Sequence, residues 1–207
     1  MRISRSWIEK LEARLKKPLP GDEAHNRMSP AVRRPVMRDI PIRNSGVLLL
    51  LYPAEKTAHT IFIKRSEYEG IHSGQVSLPG GMYRTDDGNT EQTALREAGE
   101  EIGIQPNRVS IIGSLSTIHI PVSNVNVFPY VGTMPLRPNF RHDPREVQYI
   151  IETSLERLMD SQTCKSEIIN IAGVNTPVPY YDIQGHHVWG ATAMIVCEFL
   201  EVCREIV

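Results

Sequence analysis

The run Arg96-Glu97-Ala98-Gly99-Glu100-Glu101 places three carboxylates within six consecutive positions. At about 100° per residue of helix, Glu97, Glu100 and Glu101 gather on one side, while Leu95, Ala98 and Ile102 gather roughly opposite. Glu97 with Glu100 and Glu97 with Glu101 are like-charge pairs, each opposing the helix by about 0.2–0.5 kcal/mol, and Arg96 with Glu100 offsets part of this. Hard divalent cations take oxygen ligands and often keep waters, so such a face can hold one or more of them beside a diphosphate. A cation there would polarise phosphoryl oxygens, neutralise a leaving phosphate and lower the pKa of a bound water. A solvated acidic face meets the same spacing equally well, because the repulsion is small.

The helix expected to carry these residues has legible ends. Asn89 can cap it, Gln92 follows three residues later as in a capping box, and Gly103 supplies a left-handed stop. Ahead of it, Gly80 and Gly81 let the backbone turn tightly and come close to the helix, and Asp86 and Asp87 form a short acidic loop. The Asn89 end adds the positive end of a helix dipole.

Taken together, Gly81, Asp87 and Arg96-Glu97-Ala98-Gly99-Glu100-Glu101-Ile102-Gly103-Ile104 resemble the box of the Nudix hydrolases, G-x5-E-x7-R-E-U-x-E-E-x-G-U with U aliphatic. The second half matches, with Ala98 as a small aliphatic residue. In the first half Asp87 stands where the glutamate belongs, and eight residues rather than seven precede Arg96. That longer loop, ending in Thr93-Ala94-Leu95-Arg96-Glu97, is similar to the coenzyme A pyrophosphatase branch of the family. So is the segment Arg65-Ser66-Glu67-Tyr68-Glu69-Gly70-Ile71-His72-Ser73-Gly74-Gln75-Val76-Ser77-Leu78-Pro79, set against that branch's R-S-x2-L-R-x-H-x-G-Q-V-x-F-P. Glu69, Gly70 and Leu78 depart from it. Pro129-Tyr130-Val131-Gly132, Glu146-Val147 and Val188-Trp189-Gly190-Ala191-Thr192-Ala193 also look like this branch, so the likeness covers about residues 24–203.

The resemblance implies an α/β Nudix-type fold, an α/β/α sandwich around a mixed β-sheet. It further implies a Mg²⁺- or Mn²⁺-dependent hydrolase that splits coenzyme A or its thioesters into 3′,5′-ADP and 4′-phosphopantetheine or its acyl form. Glu97, Glu100 and Glu101 are then the metal ligands, and Glu97 or Glu101 also orients or deprotonates the attacking water. Arg65, Ser66, His72, Gln75, Gly80 and Gly81 are candidates for contact with substrate. His72 and Gln75 are equally explained as loop braces, and Arg65 with Ser66 as a solvated strand end. Asp87, Arg96 and Gly103 are structural, Arg96 pairing with acids such as Asp87 to hold the loop. Glu146 is a candidate general base, equally explained as an acid opening a helix. Two rivals stand beside this reading: a Nudix pyrophosphatase for another nucleoside diphosphate compound, and a non-catalytic module that binds a nucleotide or a partner. Relatives include dimers, but nothing in the sequence marks an interface for a homodimer.

Composition bounds the setting. The 207 residues, 41% of them hydrophobic, suffice for one substantial domain. With 23 basic and 24 acidic residues the formal charge is -1, so no bulk attraction to nucleic acid or anionic lipid is expected. The longest apolar stretch, residues 47–52, is far short of the roughly 20 needed to span a bilayer. Cys164, Cys197 and Cys203 lack close metal or redox spacing and read as reduced thiols, the last two in or near a C-terminal helix, which together with the charge points to a cytoplasmic protein.

The elements follow from periodicity. Ile3, Trp7, Ile8, Leu11 and Leu15 form the stripe of an N-terminal helix; Glu9 and Glu12 argue against an organelle-targeting segment, which is poor in acids. An extended, Pro-rich connection is expected over 18–41, giving an N-terminal part at 1–40 and a Nudix domain at 41–207. Strands are expected at 46–53, 59–65, 76–78, 109–119, 125–133 and 178–183, and helices at 90–102, 146–159 and near 191–202. His186-His187 lacks the helical i,i+4 spacing of a metal pair and reads as a turn or strand position. Trp189 reads as core, and Arg33 and Arg34 as either solvated or reaching the site.

Overall fold

The computed structural model describes residues 2–30, 41–67, 73–171 and 173–206. His72, Glu69, Gly70, Arg33 and Arg34, singled out above, lie outside them. In chain order the elements are α1 (Arg5–Leu15), α2 (Asp22–Arg27), β1 (Arg43–Ala54), β2 (Thr57–Arg65), β3 (Val76–Ser77), β4 (Gly80–Met82) and α3 (Thr90–Ile102). Then follow β5 (Ser110–Ser114), β6 (Ile118–Ile120), β7 (Val125–Thr133), β8 (Val147–Ser154), α4 (Leu155–Met159), β9 (Cys164–Ile171), β10 (Val174–Ile183), β11 (His186–Trp189) and α5 (Gly190–Arg204).

The central sheet is mixed. Its path runs β3-β2-β1-β7-β5, with β4 on β1, β6 on β7 and β8 on β2. β1 and β7 are parallel, and the other pairings are antiparallel. β1 is apolar on both sides because both of its faces are covered. Leu48, Leu50 and Tyr52 join Ala94, Ala98 and Ile102 of α3 in one cluster. Leu49 and Leu51 point the other way, into a cluster with Phe199 and Leu200 of α5 and Leu11 and Leu15 of α1. The result is the expected helix–sheet–helix layering, with a separate antiparallel sheet, β11-β10-β9, beside it.

Three expectations need correction. The segment 146–159 is β8 followed by the short α4. Ile150, Ile151 and Thr153 are β-branched, β8 pairs with β2 over seven registered positions, and Ser154 caps the helix by accepting from the Arg157 N–H. The connection over 18–41 is not extended throughout, since α2 interrupts it and buries Ala24 and His25. The strand expected at 109–119 is two strands, with a register shift between Ile111 and Gly113 in the first. β9 was not anticipated: Cys164-Lys165-Ser166-Glu167 is polar, and the strand is largely exposed. Cys197 and Cys203 are buried in α5 as expected, while Cys164 is exposed on β9.

Candidate active site

The site is built where α3 meets the β3–β4 bend and the end of β2. Asn89 fixes the start of α3 by accepting from the Gln92 N–H at 2.9 Å. Gly103 ends it with φ of 71°, its N–H bonded to the Gly99 carbonyl at 3.1 Å. Ala94, Ala98 and Ile102 are fully buried against β1. That packing turns Glu97 and Glu101 toward β4, and both are buried, Glu101 to 1% exposure.

Glu101 is held at both oxygens. Oε2 accepts from the Gly80 N–H at 2.8 Å, and Oε1 from Arg65 Nη1 at 3.2 Å. Burial pushes its carboxyl up to about 7; the Gly80 N–H and Arg65 oppose that shift, while Glu97 and Glu146 add to it. Glu97 sits beside Gly81, where a Cβ would come within 2.4 Å of the Glu97 carboxyl carbon. Gly80 is equally confined, since a Cβ there would lie 2.4 Å from the Gly46 carbonyl oxygen. The two glycines therefore let β4 lie against the carboxylates.

Arg96 organises the acidic loop. It makes a two-pronged contact with Asp87, Nε to Oδ1 at 2.6 Å and Nη2 to Oδ2 at 3.0 Å, and Nη1 reaches Glu97 at 2.7 Å. Asp87 also accepts from Thr93 Oγ1 at 2.8 Å and from the Arg84 N–H at 2.9 Å. Its carboxyl is held well below the usual carboxylate range, chiefly by the hydrogen bond from Arg96.

The three carboxylates of the sequence motif are not placed alike. Glu100 is 43% exposed at its side chain and pairs with Arg96 at 3.1 Å and Arg84 at 3.7 Å. Glu97 and Glu101 are instead joined by Glu146, one oxygen of each lying within 4.8 Å of the others. Glu146 comes from the turn before β8, and its carbonyl accepts from the Ser66 N–H at 2.9 Å. The alternative account of Glu146, an acid opening a helix, goes with the helix that is absent there. A correct strand assignment after Glu146-Val147 would have brought it forward.

The substrate-side candidates line the same end of β2. Arg65 is 27% exposed at its side chain, and its Nε is buried without a hydrogen-bond partner. Its N–H bonds to the Gln75 carbonyl at 3.0 Å, and Ser66 Oγ donates to the Pro144 carbonyl at 3.3 Å. Leu78, one of the departures from the branch pattern, is 3% exposed within the core and so faces no substrate. Trp189, expected in the core, is 37% exposed at the end of β11, because the strand's alternation puts Val188 inward instead.

A cluster of hard oxygen donors beside an orphaned guanidinium nitrogen suits a divalent cation with a phosphate bound to it. Residues 42–171 match the NUDIX domain. The chain is 31% identical over 170 residues to Nudix hydrolase 15, mitochondrial, of Arabidopsis thaliana, a match covering 79% of this chain and 59% of the relative's own length. It is 31% identical over 154 residues to the Nudix hydrolase NudL of Photorhabdus laumondii, covering 74% of this chain and 81% of that protein. Among solved structures, the MutT protein of Methanosarcina mazei shares the fold, with a TM-score of 0.52 at 17% identity, over 81% of this chain and 96% of that one. On the matched domain and the relatives' likeness, the chain belongs to the Nudix hydrolase family.

Proposed function

We propose that the protein is a divalent-metal-dependent pyrophosphohydrolase that cleaves the diphosphate of coenzyme A or an acyl-coenzyme A. The observation that carries the hydrolase reading is the convergence of Glu97, Glu101 and Glu146 within 4.8 Å, beside Arg65. Mg²⁺ or Mn²⁺ held there supplies Lewis-acid polarisation of the phosphoryl oxygens and charge neutralisation. Glu97, Glu101 and Glu146 would hold it, and Glu100, exposed and paired with Arg96 and Arg84, is the further ligand that the family box implies.

The chain's own groups do the remaining work. Arg65, 27% exposed at its side chain, offers its guanidinium to a phosphate oxygen and offsets the diphosphate charge. Glu101 or Glu97 accepts the proton of the attacking water as its oxygen bonds to phosphorus. The bridging P–O bond then breaks, and the leaving phosphate departs with its electron pair. Gly80 and Gly81 keep the loop close enough for that geometry, and Arg96 with Asp87 keeps the loop in place.

The choice of coenzyme A rests on the Arg65-Ser66 and Gly74-Gln75-Val76 segment and on the blocks around Pro129, Glu146 and Trp189, which look like the coenzyme A pyrophosphatase branch. Mass spectrometry of products from coenzyme A and a panel of nucleoside diphosphate compounds, with Mg²⁺, with Mn²⁺ and with chelator, tests it. Metal-dependent release of 3′,5′-ADP and phosphopantetheine is expected. Cleavage of another compound with coenzyme A left intact would redirect the substrate within the same chemistry. Replacing Glu100 and Glu101 together with Gln is expected to abolish turnover with the fold retained; normal hydrolysis by that variant would sink the metal-site reading.

A further inference from the structure

Two arginines border Glu97 and Glu100, and they are held very differently. Every nitrogen of the Arg96 guanidinium is engaged: Nε and Nη2 with Asp87, Nη1 with Glu97 and Glu100, and Nη2 also with the Met82 carbonyl. Its side chain is 22% exposed. Arg84 is 61% exposed at its side chain, and its guanidinium lies 3.7 Å from Glu100 Oε1 and 4.0 Å from Glu97 Oε1. Both separations exceed hydrogen-bond length, so they are ion pairs across a solvated surface, each weak against the freedom of a long side chain.

What is fixed in Arg84 is its main chain. Its N–H donates to Asp87 Oδ2 at 2.9 Å, and its carbonyl accepts from the Asp87 N–H at 2.9 Å. Asp87 is in turn gripped by Arg96. The root of Arg84 therefore stands at a set place beside the carboxylates, while the guanidinium at its tip is able to change partner. Charge decides which partner that is. A divalent cation on Glu97 and Glu100 draws on the same oxygens that face Arg84, and it repels the guanidinium. A diphosphate bound to that cation brings phosphoryl oxygens, and a guanidinium fork matches these better than any other side chain.

We propose that Arg84 binds the diphosphate of the substrate, exchanging Glu97 and Glu100 for a phosphoryl oxygen when a divalent cation takes those carboxylates. Arg65 beside Glu101 and Arg84 beside Glu97 and Glu100 then give each phosphoryl group of the diphosphate an arginine. The proposal rests on the metal-dependent hydrolase reading. It adds a residue that the sequence motif does not mark, since position 84 falls among the unspecified ones between Gly81 and Asp87. The exchange has a double signature, because one side chain competes with the cation alone and supports the cation with diphosphate.

Two variants at position 84 test it. Arg84→Gln removes the charge, and Arg84→Lys keeps the charge and loses the fork. Both leave the main-chain bonds to Asp87 in place, and each is checked for an unchanged circular dichroism melt. Electron paramagnetic resonance of free Mn²⁺ reads metal binding to the 207-residue chain without substrate. Calorimetric titration of imidodiphosphate, whose P–N–P bridge resists hydrolysis, reads diphosphate binding in excess Mn²⁺. Arg84→Gln is expected to bind Mn²⁺ about fivefold more tightly, the scale of two exposed ion pairs, and imidodiphosphate about tenfold more weakly, the scale of one charge-assisted contact. Arg84→Lys is expected to keep the wild-type Mn²⁺ affinity and to fall between the other two proteins for imidodiphosphate. Any result in which the two shifts of Arg84→Gln do not run in opposite directions overturns the exchange; weakening of both is what a displaced loop produces. Such a result leaves the hydrolase reading standing where the wild type binds Mn²⁺ and Glu97→Gln binds it more weakly. A wild type that binds no Mn²⁺, or Mn²⁺ binding unchanged in Glu97→Gln, would overturn the metal site itself and the exchange with it.

Discussion

Gly81 and Gly46 both lie against α3, yet a methyl group would meet very different obstacles. At Gly81 it would meet the carboxyl end of Glu97, 2.4 Å from the carbon, and a side-chain tip can swing aside. At Gly46 it would lie 2.0 Å from the Thr90 carbonyl oxygen and 2.9 Å from the Ala94 N, which are helix backbone and cannot. Gly81→Ala is therefore expected to melt close to the wild type while losing activity on the order of 10²-fold, because one of the carboxylates proposed to hold the metal is displaced by about an ångström. Gly46→Ala is expected to lose stability by about 3 kcal/mol as α3 is pushed off β1. Thermal melts and kcat measured side by side separate the two, and a Gly81→Ala protein with full activity would show that Glu97 has no fixed position to lose. The carboxylate run was legible in the sequence as spacing. What the spacing could not show is that Glu101 and Glu97 are buried while Glu100 is turned out to Arg84 and Arg96. That division depends on β4 and Arg65, which arrive from elsewhere in the chain.

At the scale of elements, legibility followed the locality of the signal. α3 carries its own cap, stop and apolar stripe, and its bounds of Thr90–Ile102 match the expected ones. β8 does not carry its own signal. Val147, Ile150, Ile151, Leu155 and Leu158 recur at helical spacing, and pairing with β2 overrides it. The turn between β1 and β2 offers an element-scale test. Tyr52 to Ala54 pair with His59 to Thr57, which leaves Glu55 and Lys56 as a two-residue loop, and their φ angles are 48° and 68°. Two positive φ values define the hairpin turn whose twist matches the strands, and Asn-Gly adopts it with the least strain. Replacing Glu55-Lys56 by Asn-Gly is expected to raise stability by about 1 kcal/mol, since non-glycine residues pay roughly that to sit in the left-handed region. Denaturant midpoints measure it, and an unchanged or lower midpoint would mean that the two residues contribute contacts that outweigh the strain.

On the scale of the whole molecule, the N-terminal segment and the C-terminal helix are joined through one buried acid. Glu198 of α5 has no exposed surface. Its Oε1 accepts from the Gly21 N–H at 2.9 Å and from Ser116 Oγ at 2.5 Å, and its Oε2 from the Ser116 N–H at 3.0 Å with His25 Nε2 at 3.1 Å. No sequence pattern pointed to it, because its partners lie at α2 and between β5 and β6, far apart in the chain. Burial pushes its carboxyl up, but the hydrogen bonds from His25, Ser116 and Gly21 together outweigh that and hold it below the ordinary value of 4.5. A group with a lowered folded pKa stabilises the protein above its unfolded value, and that contribution fades as the pH drops through the folded value. Glu198→Gln substitutes an amide that leaves at least one of these donors facing an N–H group, at a cost of about 3 kcal/mol near pH 7. The gap in Tm between wild type and variant is therefore expected to be widest above pH 5 and to narrow steadily below about pH 4.5, where the unfolded chain's carboxyl takes up its proton, until the folded carboxylate is protonated in turn at its lower value. A gap that stays constant down to pH 3 would mean that the acid is held for its shape rather than its charge.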